Sequence, residues 1–240
     1  METTHGTLRS TIEDLFARQV ESLTGSAEFQ ALENGTAEPD QYDAFIENVT
    51  RAHLRSPQLL AFLFALAPPA AAADLQHNLL EELGRDEESE RPHPDLLREL
   101  LKGAGLGCRL ATLEAQADED LRRIVVDPLL YRSLREVGLA ALAEIVAFEY
   151  MLSRVSGRIA RALGTHRGLP PAALEWFTHH SEVDIRHAEQ GLDDLEAYLR
   201  YYEFGDDEAL TLVEMALREN VFTRRYFHDF IAAGAGAARR

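Results

Sequence analysis

Three side chains at helical spacing raise the first chemical question in this chain. In "WFTHHSEVDIRHAEQ", residues 176–190, His180, Asp184 and His187 stand at i, i+4 and i+7. At about 100° per residue they share one stripe with Phe177, Ala188 and Gly191, which continues through Leu195 and Tyr198. Imidazole and carboxylate on successive turns can converge on one metal ion, and the set suits iron, manganese or zinc. A solvated polar face is the competing explanation. The inward run of the stripe weighs against it, because a carboxylate between two imidazoles inside a bundle needs compensation. The adjacent His179 points off this stripe.

Two further places carry donors of the same kind. In "GLAALAEIVAFEYMLSRVSGRIARAL" the stripe Leu142, Ile145, Val146, Glu149, Leu152, Ser153 and Ser156 is apolar or small except for Glu149. A carboxylate there requires a metal or a partner such as Arg154 or Arg158. Glu144 lies with Ala141, Phe148 and Met151 and is the weaker candidate. In "QHNLLEELGRDEESERPHPDLL", Glu82 shares a face with Leu75, Asn78 and Leu79, whereas Glu81 falls with His77 on a side expected to be exposed. His93, between two prolines, is placed where a loop can fold it back over Glu82.

The elements that must position these residues are helices. Apolar residues recur at helical spacing nearly throughout, and alternating strand patterns bounded by Asn-Gly or Asp-Gly turns are missing. The chain reads as all-α, with helices expected near 8–33 (broken at Gly25), 39–54, 57–67, 70–84, 94–105, 127–164 (bent near Gly138), 171–203 and 206–233. Pro39, Pro57, Pro68-Pro69 and Pro170-Pro171 mark starts, and Gly84, Gly103, Gly164 and Gly205 mark ends. No linker divides the 240 residues, so one domain is expected over 1–240, with 1–6 and 233–240 disordered.

Composition narrows the function. A net charge of −17 argues against nucleic acid, which needs clustered Lys and Arg. The single Cys108 excludes an internal disulfide framework and thiolate-rich metal sites, so any metal must use nitrogen and oxygen ligands. No signal-peptide pattern and no run of about 18 apolar residues is present, which reads as a soluble, cytoplasmic protein without a membrane partner. Ferritin-like bundles need two helical Glu-x-x-His motifs. The sole match, Glu90 to His93, contains Pro92, which disfavours that fold.

In order and spacing, Glu82 in "EELG", His93 in "PHPDLL", Glu149 in "AFEY" and the His180-x3-Asp184-x2-His187 helix, which begins 31 residues after Glu149, resemble the ligand signature of the heme-oxygenase-like di-metal oxidases. The similarity spans roughly residues 40–203. It implies a heme-oxygenase-like bundle of about seven helices in which Glu82, His93, Glu149, His180, Asp184 and His187 together hold two Fe(II) ions, or manganese. It implies dioxygen as co-substrate and no heme; residues 8–33 contain no histidine to serve as a proximal heme ligand. Family members carry out amine N-oxygenation, oxidative cleavage or desaturation of free amino acids, and decarboxylation of fatty acids to alkenes. A small-molecule substrate is therefore expected, first a free amino acid or derivative, then a fatty acid. Phe45, His53, Phe148 and Phe177 are candidates for its pocket, although core packing explains all four as well. A polar pocket with an inward arginine would favour the amino acid, and a long apolar tunnel the fatty acid. A non-catalytic helical metal-binding or interaction protein is the reading from another class. It would need no cavity beside the ligands. Homodimerisation is left open.

Overall fold

The computed structural model describes residues 3–85, 90–219, 222–228 and 230. Its α-helices are α1 (Thr3–Gly25), α2 (Ala27–Asn34), α3 (Pro39–His53), α4 (Ser56–Ala65), α5 (Ala72–Glu82), α6 (His93–Gly103), α7 (Leu110–Leu121), α8 (Leu134–Ala162), α9 (Glu175–Tyr201), α10 (Asp206–Glu219) and α11 (Phe222–Tyr226). No strand occurs among the described residues, and no helix there is long and apolar enough to cross a membrane. The all-α expectation holds.

The centre of the fold is the pair α8 and α9, 29 and 27 residues long, packed along each other. Both carry an apolar stripe at helical spacing. Val146, Ala147, Val155 and Ile159 of α8 and Trp176, Phe177, Leu195 and Tyr198 of α9 are all buried. The approach is close at Gly191, where an added Cβ would stand 2.7 Å and 2.9 Å from the two methyls of Val146. A β-branched residue in a helix has essentially one rotamer, so Val146 cannot turn aside. Around this pair α1, α2, α4 and α10 pack against α8, while α1, α5 and α6 pack against α9; α3 packs against α6, α7 and α11.

Several boundaries differ from the sequence expectation, each for a local reason. The first helix does break beside Gly25: Ser26 caps α2, accepting at Oγ from the Phe29 backbone N–H at 3.2 Å. An additional helix, α7, occupies Leu110–Leu121, where Leu113 and Ala117 are its only buried residues. With so narrow an apolar face it has little periodicity to read. The helix expected from 127 starts at Leu134, where Ser133 and Glu136 form a reciprocal capping box. Residues 122–130 form a π turn and a 3-10 turn instead. Gly138, expected at a bend, lies inside the continuous α8 and makes room for the Tyr198 hydroxyl, which a Cβ would overlap. Residues 3–6, expected to be disordered, belong to α1, whereas 1–2 and 233–240 lie outside the described residues.

Gly191→Val should lower the stability of the fold by about 1–3 kcal/mol, the usual cost of overpacking. Thermal or urea unfolding measures it, and an unchanged midpoint would mean that α8 and α9 are not in contact there.

Candidate metal centre

Chain geometry folds the loop histidine back onto the end of α5. Gly84, just past Glu82, has a left-handed φ of 62°, and a Cβ there would come within 2.5 Å of the Arg91 carbonyl carbon and the Pro92 nitrogen. Only glycine meets both demands. The returning chain places His93 at the start of α6 behind Pro92, and its Nδ1 lies 3.0 Å from Glu82 Oε1. Residues 86–89 of the loop lie outside the described residues.

His180 of α9 completes the first group. Donor atoms of Glu82, His93 and His180 all lie within 4.8 Å of one another, and all three residues are buried. Their orientation is prepared. His180 Nδ1 stands 2.7 Å from the Trp176 carbonyl oxygen, so Nδ1–H donates there and Nε2 keeps its lone pair. Ser56 donates to Glu82 Oε2 at 2.6 Å. Burial would raise the Glu82 pKa, but His93 outweighs it and holds the carboxyl below its usual range. His93 is raised in return: burial opposes its charge and Glu82 overcomes that opposition. Burial, with His93 beside it, keeps His180 far below the ordinary imidazole value.

A second group stands one turn further along α9. His187 Nδ1 is 3.5 Å from Asp184 Oδ1, and its Nε2 is 2.6 Å from Glu81 Oε2. Glu81 was expected to face solvent with His77, yet it is fully buried. Its Oε1 accepts from Arg186 at 3.2 Å and lies 3.7 Å from His77 Nε2. α5 ends at Glu82, so its last two residues direct adjacent carboxylates into the two groups. Burial lifts Asp184 to about 7. For His187 burial opposes the imidazolium, but Asp184 and Glu81 prevail and raise it to about 10. Glu149 meets neither Arg154 nor Arg158, which bind the Tyr150 carbonyl and Glu33. It accepts from Asn78 at 2.5 Å, and burial raises its pKa. It lines a small crevice together with His187, Asp74 and Asp194.

The donor chemistry suits a metal. Among the described residues eight buried side-chain nitrogen or oxygen atoms lack an aligned hydrogen-bond partner. Six of them are here: Glu81 Oε2, both nitrogens of His93, His179 Nε2, Asp184 Oδ2 and His187 Nε2. Glu81 Oε2, His187 Nε2 and His93 Nδ1 stand within ion-pair distance of an opposite group, whereas His93 Nε2, His179 Nε2 and Asp184 Oδ2 are left unmatched; such atoms are costly in a protein interior, and a cation would satisfy them. His179 therefore does not point away as the helical wheel implied. Its ring packs 4.8 Å from that of His93. The loop-borne His93 brings the two together, which helical spacing on α9 alone could not reveal.

The four pocket candidates divide. Phe45 is core, packed on Tyr226 and Phe227, and Phe177 is core beside Trp176. His53 and Phe148 line a crevice together with Ser56, Glu144 and Arg225. His53 packs edge-on against Phe148 and tilted against Trp176, each with ring centroids 4.9 Å apart, and the Trp176 ring centroid lies 4.2 Å from that of His180. His53 Nε2 shares a 2.6 Å hydrogen bond with Tyr226 Oη, while burial and Arg225 hold its pKa down to about 3. Glu144 is buried and accepts from Arg225 at 2.6 Å. Sequence reading missed Arg225, since nothing local separates it from the other arginines. Cys108 is free and exposed.

Two outcomes follow. Gly84→Ala should cost about 1–3 kcal/mol through backbone strain, and by displacing His93 it should weaken iron binding; unfolding curves with and without ferrous iron measure both. Unchanged iron affinity would dissociate the turn from the site. Asp194, buried and pushed up to about 8, keeps a proton in the folded chain that the unfolded chain has lost above about 4. Its contribution to stability is thus lost as pH rises from there through about 8. Metal-free Asp194→Asn should melt above the parent at pH ~9, with a much smaller difference near pH ~5; a difference independent of pH would be the wrong result.

No curated protein sequence matches the chain significantly. A family model described as iron-containing redox enzyme matches residues 43–218, a span that begins in α3 and contains every donor described above. The helical bundle, the buried nitrogen and oxygen donors and this match lead to one conclusion: the chain belongs to the iron-containing redox enzyme family and is an iron-dependent oxidoreductase of heme-oxygenase-like, all-α fold.

Proposed function

We propose that this protein is a non-heme, two-iron oxidase or oxygenase that uses dioxygen on a small organic substrate, a free amino acid or amino-acid derivative. One observation carries the reading: donors from α5, α6, α8 and α9 meet in the interior, with Glu82, His93 and His180 within 4.8 Å of one another, Glu81, Asp184 and His187 in contact beside them, and most of the buried atoms that lack an aligned hydrogen-bond partner among these residues. Glu82, His93 and His180 would hold one ion. Asp184, His187 and Glu149 would hold the other, with Glu81 as an additional carboxylate. Ferrous ions bound there supply the electrons and open coordination sites for dioxygen chemistry.

The chain's own residues prepare that site. The Trp176 carbonyl fixes the His180 tautomer, Ser56 orients Glu82, and Asn78 orients Glu149. In the metal-free protein the proton on His187 Nε2 faces Glu81, and a metal must displace it; the buried imidazolium stands in for a cation. Trp176 and Phe177, both essentially inaccessible, keep bulk water from the His180 side. An arginine, Arg225, in the lining of the crevice beside His53 and Phe148 supports an amino acid over a fatty acid.

Anaerobic ferrous loading should reach about two irons per chain, from one carboxylate–imidazole group per ion. Air should then be consumed in an iron-dependent reaction. His187→Ala should abolish oxygen consumption while the chain keeps its fold by circular dichroism. Glu81→Gln should weaken the second iron more than the first. Full oxygen consumption by His187→Ala, or iron that stays inert to oxygen, would sink the proposal, the latter leaving a metal-binding protein without turnover.

A further inference from the structure

A narrow crevice between α5, α8 and α9 reaches the second donor group, with Glu149 and His187 in its lining. Two more carboxylates line it, Asp74 and Asp194. Their places follow from helical spacing. Asp74, Asn78 and Glu81 stand at i, i+4 and i+7 on α5, and His187, Gly191 and Asp194 stand at i, i+4 and i+7 on α9. Each aspartate is therefore two turns, about 10 Å, along its helix from a donor of the centre. Glu81 meets His187 at one end of these two ladders, and Asp74 and Asp194 share the crevice at the other. Asn78 and Glu149, hydrogen-bonded to each other, stand between.

Asp194 is the residue that asks for a cation. It is 5% exposed and has no hydrogen-bond or ion-pair partner among the described residues, and the charges acting on it are those of Asp74, Glu149 and Asp193. Arg9 is engaged outside the crevice by Asp193 and Glu196. The rest of the lining is mainly aliphatic, and the free space is about 10 Å³. That is room for one water or one ion, and too little for an organic molecule. Asp74, half-buried, is the more accessible of the two aspartates.

We propose that this crevice is the route by which a divalent cation enters the metal centre, with Asp74 and Asp194 as its transit site. The proposal rests on the reading of Glu149 and His187 as metal ligands, and not on dioxygen chemistry. A cation that leaves water for an apolar interior needs an anionic oxygen for each part of the hydration shell it gives up. Asp74 and Asp194 offer the first, Glu149 the next, and His187 with Asp184 and Glu81 the last. Carboxylates alone suit hard ions and hold iron loosely, whereas imidazole suits iron, so binding tightens inward and the ion is not trapped on the way.

Stopped-flow mixing of the metal-free protein with cobaltous chloride tests the route. Binding is read from cobalt absorption and from quenching of Trp176, the single tryptophan, whose ring centroid is 4.2 Å from that of His180. Bound metal is measured after desalting, and release is timed with excess chelator. The Asp74→Asn/Asp194→Asn double variant should take up cobalt at least about tenfold more slowly, because a cleft lined by one sign of charge raises on-rates by about 10- to 10³-fold. Release should slow by the same factor and the final metal content should stay equal, since a route changes the barrier and not the bound state. Asp193→Asn/Glu189→Gln, which removes two charges from the exposed side of α9, should leave both rates unchanged. If the first variant does not fold, Asp74→Lys, at the accessible end, should slow both rates at least as much. Unchanged uptake, equal slowing in the control, or faster release with lower metal content would overturn the proposal. A parent that takes up no metal overturns both the route and the reading of the centre. A parent that loads along the crevice yet leaves dioxygen untouched when filled with ferrous iron keeps the route and loses the oxidase, whereas oxygen consumption with uptake indifferent to the aspartates does the opposite.

Discussion

The rest of this structure depends on holding four carboxylates and three imidazoles together in the interior of an apolar bundle. The carboxylates of Glu81, Glu82 and Asp184 are buried and lose solvation there, and Glu149 is half-buried at a small crevice. Without metal the residues compensate one another. His93 and Glu82 stabilise each other's charged forms, His187 is held protonated between Asp184 and Glu81, and burial suppresses charge on Asp184 and Glu149. The balance is one of alternating protons and charges, and the same positions that hold protons are those that a cation would take.

That balance explains the precision of the surroundings. Glu81 and Glu82 are adjacent in sequence but serve different groups, which requires α5 to end where it does and the chain to reverse at Gly84. Long helices supply the other half. α9 carries His180, Asp184 and His187 on one stripe, and its tight contact with α8 at Gly191 and Val146 sets the height of Glu149 against them. A bundle whose two central helices were free to slide could not keep two sets of donors in register. The supporting contacts from Trp176, Ser56 and Asn78 each reach a different donor, so the orientation of the site comes from three separate elements.

Two small crevices border the site. On one side Asp74 and Asp194 border the crevice behind Glu149. On the other, the Glu144–Arg225 ion pair lines a crevice together with His53 and Phe148. Burial, with Arg225 nearby, keeps His53 neutral there.

Much of this was legible in the chain alone. The all-α class follows from apolar periodicity, and the His180, Asp184, His187 stripe from a single helical period, because both depend on residues within a few turns of one another. Glu149 stood out for a similar reason, as the one charge on an otherwise apolar face. Where the outcome depended on contacts distant in sequence, the local pattern was silent or misleading. Glu81 read as exposed because its own helix face includes His77, but α9 covers it with Arg186 and His187. His179 read as a bystander until the loop brought His93 against it, and Arg225 was one arginine among many until α8 presented Glu144 to it. The sequence by itself determined which helices form and which of their faces are apolar, since those are properties of neighbouring residues. The meeting of the donors, their division into two groups and the identity of the inward arginine were decided only by tertiary structure, because desolvation and pairing energies depend on what the rest of the fold places within a few ångströms.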